Sequence, residues 1–309
     1  MIAPKFSRAL VLLLVQAVQK GPDVTVHSRR AEKRADRGPR EEEPRGVCGY
    51  TLRGSDDRER RGAKLIGAAL VVGMLAGCAT APPSPPSPEA QRLVQELTAR
   101  WSQFDDLRGL VEITLTRDGA VQRFDGVLLL KAPAALRFEA LTPFGQPFLY
   151  LVSSGQEFTL YNVGENRALV GSNAQEGAKR WLGIPFTTEE LVGLLAGYVL
   201  PLPDPQSMTL VQADGRGQSL IVNGSSWTQQ IWYAPDSGLP RQVEYGGGRS
   251  PVRVVFQGES APPSAITLTA LDRPLSVAIR YRNAELRSGV SRDAFHLDLP
   301  QRVKIQRVN

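Results

Sequence analysis

Cysteine and histidine are nearly missing from this chain: its 309 residues include only Cys48, Cys78, His27 and His296 of these two types. Such a count supports neither a disulfide framework nor a Cys/His metal site, so no disulfide, no metal and no cofactor is expected. The motifs of common catalysis are missing too, with no Gly-x-Ser-x-Gly elbow, His-Glu-x-x-His pair or phosphate loop. Gly246-Gly247-Gly248 lacks a strand-to-helix context and reads as a hairpin loop. His296 and Asp298 alternate onto one side of a segment that reads as the polar face of an edge strand rather than as a dyad. No enzyme is expected. Excess charge is absent where it would matter. The whole chain carries 37 Lys and Arg against 31 Asp and Glu, but residues 1–77 hold 15 and 9 of these, leaving 22 of each sign from position 78 onward. A nucleic-acid partner is therefore excluded.

What is present begins with Leu75-Ala76-Gly77-Cys78, a lipobox. Arg60, Arg61 and Lys64 precede a short apolar run at 65–75 that ends in small residues, the anatomy of a secretory signal. That run falls short of the roughly 20 residues a membrane-spanning helix needs. The expected organisation is a signal at 61–77, a lipidated Pro- and Ser-rich tether at 78–88 with Cys78 as the acylated first residue, and one folded domain at 89–309. Residues 1–60 include a mixed-charge run at 29–45 with almost nothing apolar to bury, and read as an extension outside the folded protein, from a start codon assigned too early. Ala79, rather than Asp, follows the lipidated cysteine. The expected address is the periplasmic face of the outer membrane, with membrane lipids held through Cys78.

In the folded domain, Ser87-Pro88 reads as a helix N-cap and first turn, followed by an apolar stripe of Leu93, Leu97 and Trp101. From residue 107 the period becomes two, and short antiparallel strands dominate to residue 281. Several are apolar on both faces, notably Val127-Leu128-Leu129-Leu130 and Phe148-Leu149-Tyr150-Leu151-Val152, so something must cover the second face. The expected cover is a helical insertion: a short helix at 174–182, then one with a capping box at Thr187 and Glu190 and a stripe of Leu191, Leu194, Leu195, Tyr198 and Val199. Periodicity leaves open whether the space between is a packed core or an openable cavity.

These segments, in this order, resemble the LolB-type outer-membrane lipoprotein receptors, relatives of the periplasmic carrier LolA. The likeness runs from the lipobox and the Trp101 helix through Leu107-Arg108-Gly109, Thr142-Pro143-Phe144-Gly145, Trp181-Leu182-Gly183-Ile184-Pro185 and the helix that follows. It ends with Asp236 to Arg241 and Phe295 to Pro300. It implies a mainly β fold, an incomplete antiparallel barrel of about 10–11 strands around a small helical lid, with an N-terminal amphipathic helix. It implies an acyl-chain cavity, for which the candidate lining is Leu110, Leu128, Leu130, Phe138, Phe148, Tyr150, Val152, Trp181, Leu191, Leu194, Leu195 and Tyr198. It implies that Pro143-Phe144-Gly145 protrudes as a membrane-inserting loop, with Phe144 where the family usually has Leu, and it gives Arg108 a polar contact near the cavity. The implied partners are a LolA-like periplasmic carrier and acylated lipoprotein cargo, handled by a monomer. The alternative is an envelope lipoprotein on the same scaffold that carries or senses another lipid or glycolipid, or that scaffolds an assembly.

Overall fold

The computed structural model describes residues 87–172, 186–214, 216–247 and 250–308. Cys78, Trp181 and the helix expected at 174–182 lie outside them. The first described helix, α1 (Pro88–Ser102), starts where the sequence placed its cap: the Ser87 hydroxyl accepts from the Ala90 amide (3.2 Å). Ala90 and Leu97 are buried, with Leu93, Val94 and Trp101 packed against the same core.

Among the described residues, fourteen strands then form one sheet: β1 (Asp106–Arg117), β2 (Ala120–Lys131), β3 (Ala135–Leu141), β4 (Pro147–Ser153), β5 (Glu157–Asn162), β6 (Arg167–Ser172), β7 (Ser207–Asp214), β8 (Gly217–Asn223), β9 (Trp227–Tyr233), β10 (Pro240–Gly247), β11 (Val252–Gln257), β12 (Ala265–Ala270), β13 (Leu275–Leu286) and β14 (Lys304–Val308). Their spatial order is β14-β6-β5-β4-β3-β2-β1-β13-β12-β11-β10-β9-β8-β7, so the sheet is open, with β14 and β7 at its edges. The second described helix, α2 (Thr188–Ala196), lies against β2 and β3, and α1 against β7. The expected architecture, an open antiparallel barrel around helices, is what the chain adopts, but with fourteen strands among the described residues rather than about 10–11.

Alternation along each strand sorts side chains into an inner face toward the helices and an outer face. Inward go Leu107, Val111 and Ile113 of β1, Leu128 and Leu130 of β2, Leu220 and Val222 of β8, Ile231 of β9, Val243 and Tyr245 of β10, Val254 and Phe256 of β11, and Ile266 of β12. Gly126 on β2 is required by this packing, since a Cβ there would sit 2.4 Å from the Phe138 ring.

Two features depart from the sequence reading. The strand at the C-terminus is not at 295–299: Arg292–Phe295 is a short 3-10 helix capped by Ser291, and the exposed side chains of His296 and Asp298 lie 3.3 Å apart just after it. The true last strand, β14, pairs with β6 and is parallel to it. Its sequence, Lys-Ile-Gln-Arg-Val, has little apolar alternation because an edge strand needs only its ladder hydrogen bonds, and its charges guard that edge. The cover for the second apolar face also differs. Leu129 and Val152, on the outer face, are buried by Val290 and Phe295, with Ala294 and Leu297 alongside. It is the stretch after β13 that folds over β2–β4 from outside, while the described helix covers the inner face.

Candidate functional site

The inner face and its helix form the candidate lipid-binding interior. Leu128, Leu130, Leu191, Leu194 and Leu195 all belong to its central cluster, and Phe138 and Tyr198 pack against it. Toward β4–β6 the lining continues as Ala140, Leu149, Phe158, Leu160 and Leu169. Phe148, beside the irregularity in β3–β4 pairing at Ala140/Leu141, joins this set through an edge-to-face contact with Phe124 (6.2 Å).

Three expected lining residues do not face it. Leu110 is 48% exposed, because inward positions on β1 are the odd ones from Leu107 to Leu115. Tyr150 and Val152 lie on the outer face under the C-terminal cover. Arg108 is exposed on the same side as Leu110, away from the interior. Sequence reading also passed over the second half of the lining, from β8 to β12, although Leu220/Val222, Ile231/Tyr233 and Val252/Val254/Phe256 carry the same two-residue alternation.

Helix α2 is held to the sheet by polar clamps inside an otherwise apolar space. Its N-terminus carries the expected capping box: Thr187 Oγ1 accepts from the Glu190 amide (3.1 Å) and the Glu190 carboxylate accepts from the Thr187 amide (2.6 Å). Its C-terminus turns at Gly197, where φ is +87° and Pro263 leaves no room for a Cβ. One carbonyl of the last turn, Leu195 O, accepts from the Tyr281 hydroxyl on β13. Leu200 O, just past the helix, accepts from Gln229 Nε2 (2.8 Å), which also donates to the Tyr245 hydroxyl (3.2 Å). Burial pushes the Tyr245 and Tyr281 hydroxyls far above the usual phenol range, so both stay protonated, Tyr281 as donor to Leu195 O and Tyr245 as acceptor from Gln229. Trp101 Nε1 on α1 donates to Glu189 (3.3 Å), and the Trp101, Phe104 and Tyr198 rings pack together at 5.3–6.1 Å.

The second component is the turn between β3 and β4. Thr142 O accepts from the Gly145 amide (2.9 Å), closing a four-residue turn with Pro143 and Phe144 in the middle. Thr142 Oγ1 accepts from the Gln146 amide (3.2 Å), and Gly145 takes φ +77°, a conformation that favours glycine. Phe144 at this stiffened tip is 83% exposed, the most exposed large apolar residue among those described. Among the described residues, no cluster of three or more His, Cys, Asp or Glu is placed to hold a metal ion, and no helix is long and apolar enough to cross a membrane.

No protein-family model and no curated protein matches the chain. Solved structures do. A DUF1329 family protein from Desulfovibrio piger is similar with a TM-score of 0.50 at 13% identity, over 69% of this chain and 98% of that one. A LolA superfamily protein from Nitrosomonas europaea scores 0.46 at 13% identity, over 67% and 97%. A Vibrio parahaemolyticus domain named for outer membrane lipoprotein sorting scores 0.48 at 13% identity, over 67% and 97%. At 13% identity the likeness to the Desulfovibrio piger protein is one of fold alone.

Proposed function

We propose that this chain is an outer-membrane lipoprotein receptor, anchored through acylated Cys78, that accepts acylated lipoproteins from a LolA-like periplasmic carrier and inserts them into the membrane. The observation that carries the reading is Phe144: an 83% exposed aromatic on a rigid turn, in a chain whose other half of the task is an apolar helix-filled interior. An acyl chain of about 15 carbons costs on the order of 10 kcal/mol to expose to water at ~0.8 kcal/mol per CH₂, so transfer between membranes needs a shielded path. The interior supplies shielding when α2 gives way, and the exposed ring supplies the contact at which the chains pass into lipid. No bond is made or broken, so no catalytic group is required.

The test is Phe144→Glu. The variant is expected to accept acylated lipoprotein from the carrier, read by co-purification, and to fail to deliver it to membranes. Normal delivery by this variant would remove Phe144 from the mechanism.

A further inference from the structure

Phe144 is not alone at its end of the sheet. Val163 sits in the next turn, between β5 and β6, and is 38% exposed. Register fixes its surroundings: Leu149 pairs with Asn162, and the Val163 amide donates to Phe148 O (3.0 Å). The two turns are thus adjacent hairpin tips on strands about 4.8 Å apart.

The C-terminal strand begins against the same tip. The Lys304 amide donates to Asn166 O (3.0 Å) and Asn166 Nδ2 donates to Arg302 O (3.0 Å), with Asn166 held at φ +48°. Lys304 then lies beside Arg167 in the β14–β6 ladder. Arg167, Arg302 and Lys304 are all exposed, and the turn's one carboxylate, Glu165, meets Arg167 at 4.0 Å. Three cations around one acid is a local excess in a chain with 22 charges of each sign from position 78 onward.

We propose that Val163 and the collar of Arg167, Arg302 and Lys304 form a second membrane contact beside Phe144, selective for a leaflet containing anionic phospholipid. The proposal rests on the reading of Phe144 as a membrane-inserting residue. One apolar tip is a pivot, free to rock on the surface. A second tip with cations at headgroup depth fixes tilt, because a valine partitions weakly alone and the cations add attraction to lipid phosphates that decays within a Debye length. Weak contacts suffice here: the ten residues from Cys78 to Ser87 span at most about 30 Å between their ends, so the anchor keeps the local lipid concentration high.

The experiment uses the full processed, acylated protein in vesicles. Val163→Cys is labelled with an environment-sensitive fluorophore, a mass measurement establishing a single label, and quenching by nitroxide lipid is recorded. Strong quenching is expected in vesicles of 3:1 phosphatidylcholine and phosphatidylglycerol, several-fold less in phosphatidylcholine alone. Arg302→Glu with Lys304→Glu is expected to abolish that difference while leaving the thermal melt unchanged. A label at 163 that stays unquenched in anionic vesicles, or is quenched equally with the two Glu substitutions, overturns the proposal. Phe144→Cys labelled in parallel separates the two readings. Quenching at 144 without quenching at 163 removes the second contact alone, and quenching at neither removes both.

Discussion

Asp106 fastens the outer cover, and its removal should be costly. The residue is completely buried at the start of β1. Its Oδ1 accepts from the Ser288 amide (2.7 Å) and hydroxyl (2.9 Å), its Oδ2 accepts from the Val290 amide (3.3 Å), and Lys131 Nζ lies 3.5 Å away. These bonds fix the point where the chain leaves β13 and turns over the outer face. Hydrogen bonds to a charged acceptor contribute roughly 1.5–3 kcal/mol each but do not add fully. Asp106→Ala strands two amides and leaves a half-buried ammonium with Asp105 as its remaining carboxylate (3.2 Å). The expected cost is about 3–5 kcal/mol, the range for breaking a buried charge pair, against a total stability of roughly 5–15 kcal/mol. Asp106→Asn keeps the shape and part of the bonding, and should cost about 1–2 kcal/mol. Equilibrium urea unfolding measures both, and amide exchange at Val290 and Ala294 localises the effect. A loss under about 1 kcal/mol for the Ala variant, or unchanged exchange at those amides, would refute the role given to Asp106.

Tyr281→Phe removes the clamp on Leu195 O and should cost about 1–2 kcal/mol, with faster exchange in α2 than elsewhere as the distinguishing readout. Leu110→Ala should change stability by less than about 0.5 kcal/mol, whereas Leu128→Ala should cost about 2–5 kcal/mol, a comparison by thermal melts that tests the inward register of β1 and β2. Arg282 bridges Glu112 (2.8 Å) and Asp125 (2.9 Å), and its hydrogen bond to Glu112 holds that carboxyl below the ordinary value of 4.5. A depressed folded value means this contribution is present above the unfolded pKa and is lost as pH falls through the folded one. Arg282→Gln should therefore flatten the stability curve as acidity increases below about pH 5, with little change in that slope near neutrality.

The strands of β1–β6 and α2 were legible because each carries its own period and its own stop signals, and the Thr187–Glu190 capping box needed no tertiary information at all. Leu110 misled because Leu107, Leu110 and Val111 are all apolar, so a local reading does not choose between faces; the odd positions through Leu115 decide it. The outer cover was illegible for a different reason. Phe295-His296-Leu297-Asp298-Leu299 alternates like a strand, yet Ser291 caps a 3-10 helix just before it, and Arg137 takes Ala294 O and His296 O through Nη1 (2.9 and 3.4 Å). Those partners stand far away in sequence, and no local pattern encodes them. The Phe144 turn lies between: Pro and Gly announce a turn, while the resemblance alone attached a role to its tip.

The order of strands also sets an order of assembly. β1 to β6 run as one meander and β7 to β13 as another, each strand pairing with the one made just before it. The two are sewn together at β1–β13 and latched again at β6–β14, and both joins use residues from 275 onward. Pairings between distant segments form slowly. A chain released N-terminus first therefore holds two unjoined apolar half-shells until its final strands arrive and make them one sheet.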